Sequence, residues 1–140
     1  MYRLIVGIPP SVNHSHINIR EGNRNKRIRS QATKEYMIDT GWLAKRWMVL
    51  SKWHMPDKDK KIIMRVWIYW PDNRRRDADN LIKILQDSLT HILWHDDRQV
   101  LPQIIGFAVP NHILANMFFL VVGMALADGI FLVLKLIGLG

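Results

Sequence analysis

Residues 62–93 run Ile62-Ile63-Met64-Arg65-Val66-Trp67-Ile68-Tyr69-Trp70, then Pro71-Asp72-Asn73-Arg74-Arg75-Arg76-Asp77-Ala78-Asp79-Asn80, then Leu81-Ile82-Lys83-Ile84-Leu85-Gln86-Asp87-Ser88-Leu89-Thr90-His91-Ile92-Leu93. The first block alternates with a period of two: Ile62, Met64, Val66, Ile68 and Trp70 share one side, and Ile63, Arg65, Trp67 and Tyr69 the other. That predicts a strand with both faces at least partly covered. Pro71-Asp72-Asn73 breaks it. In the last block Leu81, Ile84, Leu85, Leu89, Ile92 and Leu93 fall near the spacing of one helical face, which predicts an amphipathic helix beginning near Asp79. A strand feeding a helix across a polar, arginine-rich turn is the centre of the fold.

The flanking sequence extends the pattern. Trp94 to Arg98 reads as a turn and Val100 to Val109 as a last strand, ended by Pro110. Upstream, Tyr2, Leu4, Val6 and Ile8 alternate until Pro9-Pro10 stops them, which predicts a first strand. Residues 11–30 are polar and carry Arg20, Arg24, Lys26, Arg27 and Arg29 without either period, so they form a long loop or hairpin. Between Gln31 and Lys52, Tyr36, Leu43, Trp47 and Leu50 are spaced for a helix despite Gly41. The order strand, helix, strand, helix, strand predicts an α/β or α+β protein, a small mixed sheet flanked by two main helices.

Composition narrows the function. With 20 Lys+Arg against 12 Asp+Glu in 140 residues, the formal charge is +8, so a polyanion is the first partner to consider. The chain contains no Cys, which excludes disulfides, thiol nucleophiles and Cys-ligated metals and leaves Asp, Glu, His and hydroxyls for chemistry. Residues 111–140 hold only Asp128 and Lys135 among their charges, so the excess of positive charge lies within residues 1–110. No secretory signal is expected, because Met1 to Ile8 is short and is followed at once by two prolines. A cytoplasmic location is the expectation.

The chemistry centres on Asp77 and Asp79. Two residues apart in extended backbone, they can converge on a hard cation, and Lys83 stands one helical turn beyond Asp79, off the apolar stripe. Asp96-Asp97 is a further acidic pair at the far end of the helix, about 20 Å away along the axis, so it joins the first pair only if the chain returns. Mg²⁺ takes oxygen ligands and is commonly held by a few carboxylates with substrate phosphates. Such an ion activates water and steadies a leaving oxygen in phosphodiester hydrolysis. The plainer alternative stays open at this point: Asp79-Asn80 as a helix cap, Asp79 and Lys83 as an ordinary ion pair, Arg74 to Arg76 as a solvated turn. His95 reads as a bystander. Most of the six tryptophans read as core, although some could stack on unpaired bases.

Three segments together resemble the RusA family of Holliday-junction resolvases, small phage-derived endonucleases. They are Pro9-Pro10-Ser11-Val12-Asn13, Arg74-Arg75-Arg76-Asp77-Ala78-Asp79-Asn80-Leu81 with Lys83, and Trp94-His95-Asp96-Asp97-Arg98-Gln99-Val100. Their order and spacing agree from about Leu4 to Val109. The resemblance implies a homodimer that binds four-way DNA junctions and cuts two opposed strands symmetrically in recombination and repair, using Mg²⁺; substitution by Mn²⁺ stays open at this point. It implies that Asp77, Asp79 and Asp97 bind the metal, that Asp97 folds back to meet the other two, and that Lys83 is the catalytic lysine. Arg76 and Asp96 match supporting neighbours, and Asn13 matches the loop asparagine after the prolines. Arg20, Arg24, Lys26, Arg27, Arg29, Arg74, Arg75 and Arg76 would grip phosphates, making binding strongly salt-dependent.

The tail departs from that pattern. Over Ile113 to Leu134 thirteen of 22 residues are Ile, Leu, Phe or Val, enough to span a bilayer with marginal insertion energy. Three readings follow: a membrane anchor, a non-native extension from a shifted reading frame or fusion, or an apolar segment buried in a larger assembly. The non-native extension is preferred, because an anchor has no evident use to an enzyme of chromosomal junctions. The division is therefore a nuclease domain over 1–110 and an apolar tail over 111–140. A basic DNA-binding protein without catalysis and a membrane-anchored degenerate nuclease are the alternatives.

Overall fold

The computed structural model describes residues 3–70, 77–108, 119–126 and 131–132. In chain order they form β1 (Leu4–Val6), β2 (His16–Glu21), β3 (Arg24–Arg29), α1 (Gln31–Ser51), β4 (Ile62–Tyr69), α2 (Ala78–Leu89), β5 (Val100–Ala108), β6 (Phe119–Leu126) and β7 (Phe131–Leu132), with 3₁₀ turns at Val12–His14 and Asp97–Gln99. This is the mixed α+β architecture expected: two helices and two small sheets.

The main sheet runs β1-β6-β4-β5, with β7 also on β6. β4 and β5 are parallel, Ile62 opposite Val100 and Tyr69 opposite Ala108, and the register slips by one residue at Val66/Trp67. β6 is antiparallel to both β4 and β1. Parallel neighbours need a crossover, and α2 supplies it. The alternation predicted for β4 is realised: Ile62, Met64, Val66 and Ile68 are fully buried while their odd neighbours are half-buried. The buried side meets Leu81, Leu85 and Leu89 of α2, Ala44 and Trp47 of α1, and Leu4 and Val6 of β1 in one core. Truncating a side chain here, such as Leu85→Ala, costs about 2–5 kcal/mol.

Two elements differ from the sequence reading in detail. The buried face of α1 is Thr33, Thr40, Gly41, Ala44 and Trp47. Leu43 and Leu50, assigned to that face from spacing, are 40% and 43% exposed. The reason lies at Gly41, where a side chain would meet the Ile92 Cδ1 at 3.2 Å; the helix turns its small residues inward to let the segment after α2 approach. The second difference is in the tail. Its described part, Phe119–Leu126, is extended rather than helical and lies between β1 and β4. Adjacent β-branched Val121 and Val122 followed by Gly123 suit a strand better than a helix. No helix among the described residues is long and apolar enough to cross a membrane.

The polar segment 11–30 is a hairpin. β2 and β3 pair antiparallel from His16 opposite Arg29 to Glu21 opposite Arg24. Gly22 closes it with φ +61°, the left-handed conformation that a two-residue hairpin loop requires.

Candidate functional site

Asp77 is the N-cap of α2, so the helix starts at Ala78, one residue earlier than the sequence suggested. The Asp77 backbone is extended, at φ −89° and ψ 109°, and its carboxylate meets the free N–H groups of the first turn. Asp79 N–H donates to Asp77 Oδ1 at 3.1 Å, and Asn80 Nδ2 donates to Oδ2 at 2.8 Å. Both oxygens keep lone pairs for a further partner. Asp77 and Asp79 are exposed. Asn80 is a positioning residue that sequence reasoning took only as a cap. The signal was present: an Asp with a side-chain donor three residues on has the spacing of a reciprocal cap.

The proline motif arrives at the same place. Ser11 Oγ accepts from Asn13 N–H at 3.4 Å and starts the 3₁₀ turn Val12–His14. Asn13 then lines an open cavity of about 380 Å³ with Pro9, Ser11, Trp70, Asp77 and Asn80. Two of the three sequence motifs therefore meet around one cleft beyond the C-terminal end of β4.

Lys83 is exposed and does not line that cleft. It lines a second cavity, about 270 Å³, between α2 and the hairpin, with His16, Arg27, Arg29 and Asp87. Three full positive charges against one carboxylate make this cleft suited to phosphate. All five hairpin cations, Arg20, Arg24, Lys26, Arg27 and Arg29, are exposed. Lys26 forms an ion pair with Glu21 at 3.1 Å, and Arg20 Nε donates to the Gly22 carbonyl at 3.3 Å. Arg74, Arg75 and Arg76 lie outside the described residues.

The third motif is elsewhere. Asp97 opens the 3₁₀ turn that leads into β5, at the start of the strand where Val100 pairs with Ile62. Asp77 follows the other end of β4. Eight strand residues at about 3.3 Å each and twelve helical residues at about 1.5 Å each put roughly 20 Å between the two ends. Among the described residues no three His, Asp or Glu side chains gather as metal ligands. The three aspartates thus do not form a single-chain cage for Mg²⁺; the Asp77/Asp79 pair and Asp97 occupy opposite ends of the sheet.

The Asp97 end is tightly built. Gln99 is buried; its Nε2 donates to the Asp57 and Lys60 carbonyls at 2.8 and 3.2 Å, and its Oε1 accepts from His95 and Asp96 N–H at 2.8 and 3.3 Å. Asp96 caps the turn, accepting from Arg98 N–H at 2.9 Å. That backbone hydrogen bond, with a side-chain hydrogen bond to Asp97 and the Arg98 charge, holds the Asp96 carboxyl below the usual aspartate range. Of the tryptophans, Trp47 and Trp94 are wholly buried and Trp53 and Trp70 nearly so, as core positions require. Trp42 is exposed with Lys45 Nζ 5.1 Å from its ring centre.

A family model described as Endodeoxyribonuclease RusA matches residues 8–112. No curated protein matches the chain.

Proposed function

The chain belongs to the RusA family of Holliday-junction-resolving endodeoxyribonucleases, and from that premise we propose that it cuts four-way DNA junctions by paired, symmetric phosphodiester hydrolysis dependent on Mg²⁺. Asp77 and Asp79 are the reacting carboxylates of this reading, with Asp97 as the third acid and Lys83 as the catalytic lysine. The observation that carries it is the cleft at the head of α2. There the Asp77 carboxylate, oriented by Asn80, faces Asn13 across a space of about 380 Å³.

The reaction adds water to phosphorus and breaks one P–O bond, so the protein has to orient the phosphate, take a proton from water and disperse charge on the phosphoryl oxygens. Carboxylates at the head of α2 suit the proton. Asn13 and Asn80 supply neutral donors around them. Lys83, Arg27 and Arg29 line a neighbouring cationic cleft suited to the next phosphates of the strand, and the remaining hairpin cations, Arg20, Arg24 and Lys26, extend that track. Each phosphate neutralised adds about 0.9 to the log–log salt slope on duplex DNA.

A synthetic four-way junction tests the reading. With Mg²⁺ the wild-type chain should yield nicked duplexes in symmetric pairs. Asp77→Asn should lower the cleavage rate by about 10²-fold or more while leaving junction binding unchanged or tighter, since it removes negative charge beside phosphates. Normal cutting by Asp77→Asn would remove the assignment, and binding without products at any Mg²⁺ concentration would favour the purely DNA-binding alternative.

A further inference from the structure

We propose that His16 is a phosphate ligand in the cleft between α2 and the hairpin, donating from Nε2 as an imidazolium, so that DNA binding takes up a proton there. This deepens the function proposed above and rests on its reading of a DNA substrate. It adds a ligand that none of the three sequence motifs contains.

The hydrogen bonds of Ser15 decide the form of the ring. Ser15 is buried; its carbonyl accepts from Ser30 N–H at 2.8 Å, and its N–H donates to the Val12 carbonyl at 3.1 Å. Its Oγ lies 2.6 Å from the same Val12 carbonyl and 2.8 Å from His16 Nδ1. A hydroxyl has one proton, and a carbonyl oxygen only accepts. That proton therefore goes to Val12, and the Ser15 oxygen accepts from His16 Nδ1–H. A neutral ring with its proton on Nδ1 presents a lone pair at Nε2, which repels an anion's oxygen. Ser15 thus leaves His16 one way to hold a phosphate, which is as an imidazolium donating from Nε2.

The register of the hairpin sets this ring among cations. His16 pairs with Arg29 and Asn18 with Arg27, and residues two apart on a strand share a face with their cross-strand partners. His16, Arg27 and Arg29 are therefore on one face of the hairpin, and all three line the cavity of about 270 Å³. Lys83 and Asp87 of α2 line it as well, and no charged side chain of α1 does. Among the described residues Arg27, Arg29 and Lys83 form no ion pair, whereas Lys26, on the other face, is paired with Glu21. A phosphate supplies the counter-charge that an imidazolium among guanidinium and ammonium groups requires. Phosphate and proton therefore each favour the other's binding, by the same factor in both directions.

Titration calorimetry of the full chain with a synthetic four-way junction, in EDTA so that nothing is cut, tests this. At one neutral pH, two buffers of different ionisation enthalpy give the number of protons exchanged on binding. The wild type should take up a fraction of a proton per chain. His16→Gln, at an exposed position, should lose that uptake, bind about tenfold more weakly and show a log–log salt slope smaller by about 0.9. Asp87→Asn and His14→Gln should keep the uptake. Without DNA, the nitrogen chemical shifts of the neutral His16 ring should place its proton on Nδ1. A proton on Nε2, a wild type that binds without uptake, or an uptake that survives His16→Gln and follows Asp87 or His14 instead overturns the ligand while the nuclease reading stands. A wild type that fails to bind the junction removes both.

Discussion

The two ends of the β4–α2–β5 unit are built by different means. At the Asp77 end, among the described residues, the hydrogen bonds that set the carboxylate span two or three residues, Asp79 N–H and Asn80 Nδ2 to Asp77. At the Asp97 end Gln99 reaches back about 40 residues to the Asp57 and Lys60 carbonyls. One end is made by the start of a helix and would form wherever that helix forms. The other exists only after β4 and the loop before it have docked. An acidic residue can therefore be set for chemistry at short range, while a second acid of the same motif set is set by tertiary structure, and the two respond to different perturbations.

The sharpest way to break that contrast is Gln99→Ala. It orphans the Lys60 carbonyl and the His95 and Asp96 amides in a partly buried place, while the Asp57 carbonyl keeps the Lys60 N–H, at about 1–3 kcal/mol for each group that water cannot reach. A net loss of about 3 kcal/mol should appear in urea denaturation with little change in the slope. The Asp77 cap should persist. A loss under about 0.5 kcal/mol, the level of an ordinary surface change, would mean the turn is held by its local cap alone, and the two ends would then be alike.

Legibility in the sequence follows the same division. The period of two in Ile62 to Tyr69 and the stripe from Leu81 to Leu89 are local signals, and each of these elements formed where the pattern placed it. The cleft that joins Asn13 to Asp77 was legible only as two motifs, because their meeting depends on β1 lying across the sheet from β5. The distance of Asp97 was legible in principle, since a parallel crossover carries the chain back to the start of the next strand; the motif set argued for proximity and the topology separates the two. The facing of α1 was misjudged because Leu43 and Leu50 have the apolarity of core residues while Gly41 and Ala44 have the size that close packing demands. Hydrophobicity cannot report a steric preference. The strand Phe119–Leu126 was hidden for a related reason: an unbroken apolar run has no period to distinguish a central strand from a helix.

Asn80→Ala probes the other end and is expected to be smaller in stability but visible in rate. Removing the Asn80 donor takes away one of the two hydrogen bonds that the Asp77 carboxylate accepts among the described residues, a loss near 1 kcal/mol. The cleavage rate should fall, because the carboxylate then samples several rotamers, while junction binding stays unchanged. The informative measurement is the double variant with Gln99→Ala. Residues this far apart with no shared partner should have additive stability effects within about 0.3–0.5 kcal/mol. A coupling above 1 kcal/mol would show that the two ends communicate through α2, and the contrast between a local and a tertiary end would have to be given up.

The smallest effect, and the most specific to the Asp97 end, is in the pH dependence of stability. The Asp96 carboxyl is held below its ordinary range, first by the Arg98 N–H and then by Asp97 and the Arg98 charge. A carboxyl depressed on folding contributes stability that is present above its unfolded value and is lost as the pH falls through its folded value. Asp96→Asn should therefore be less stable than wild type at neutral pH, and the difference should shrink as the pH falls below the ordinary aspartate range and the wild-type carboxylate takes up a proton. Because the residue is fully solvated, added salt should weaken the part due to the Arg98 charge and leave the part due to the backbone hydrogen bond. A difference that persists undiminished in acid would mean that Asn fails at this cap for reasons of shape, since Asn caps a helix about as well as Asp does, and the electrostatic account of the turn would be lost.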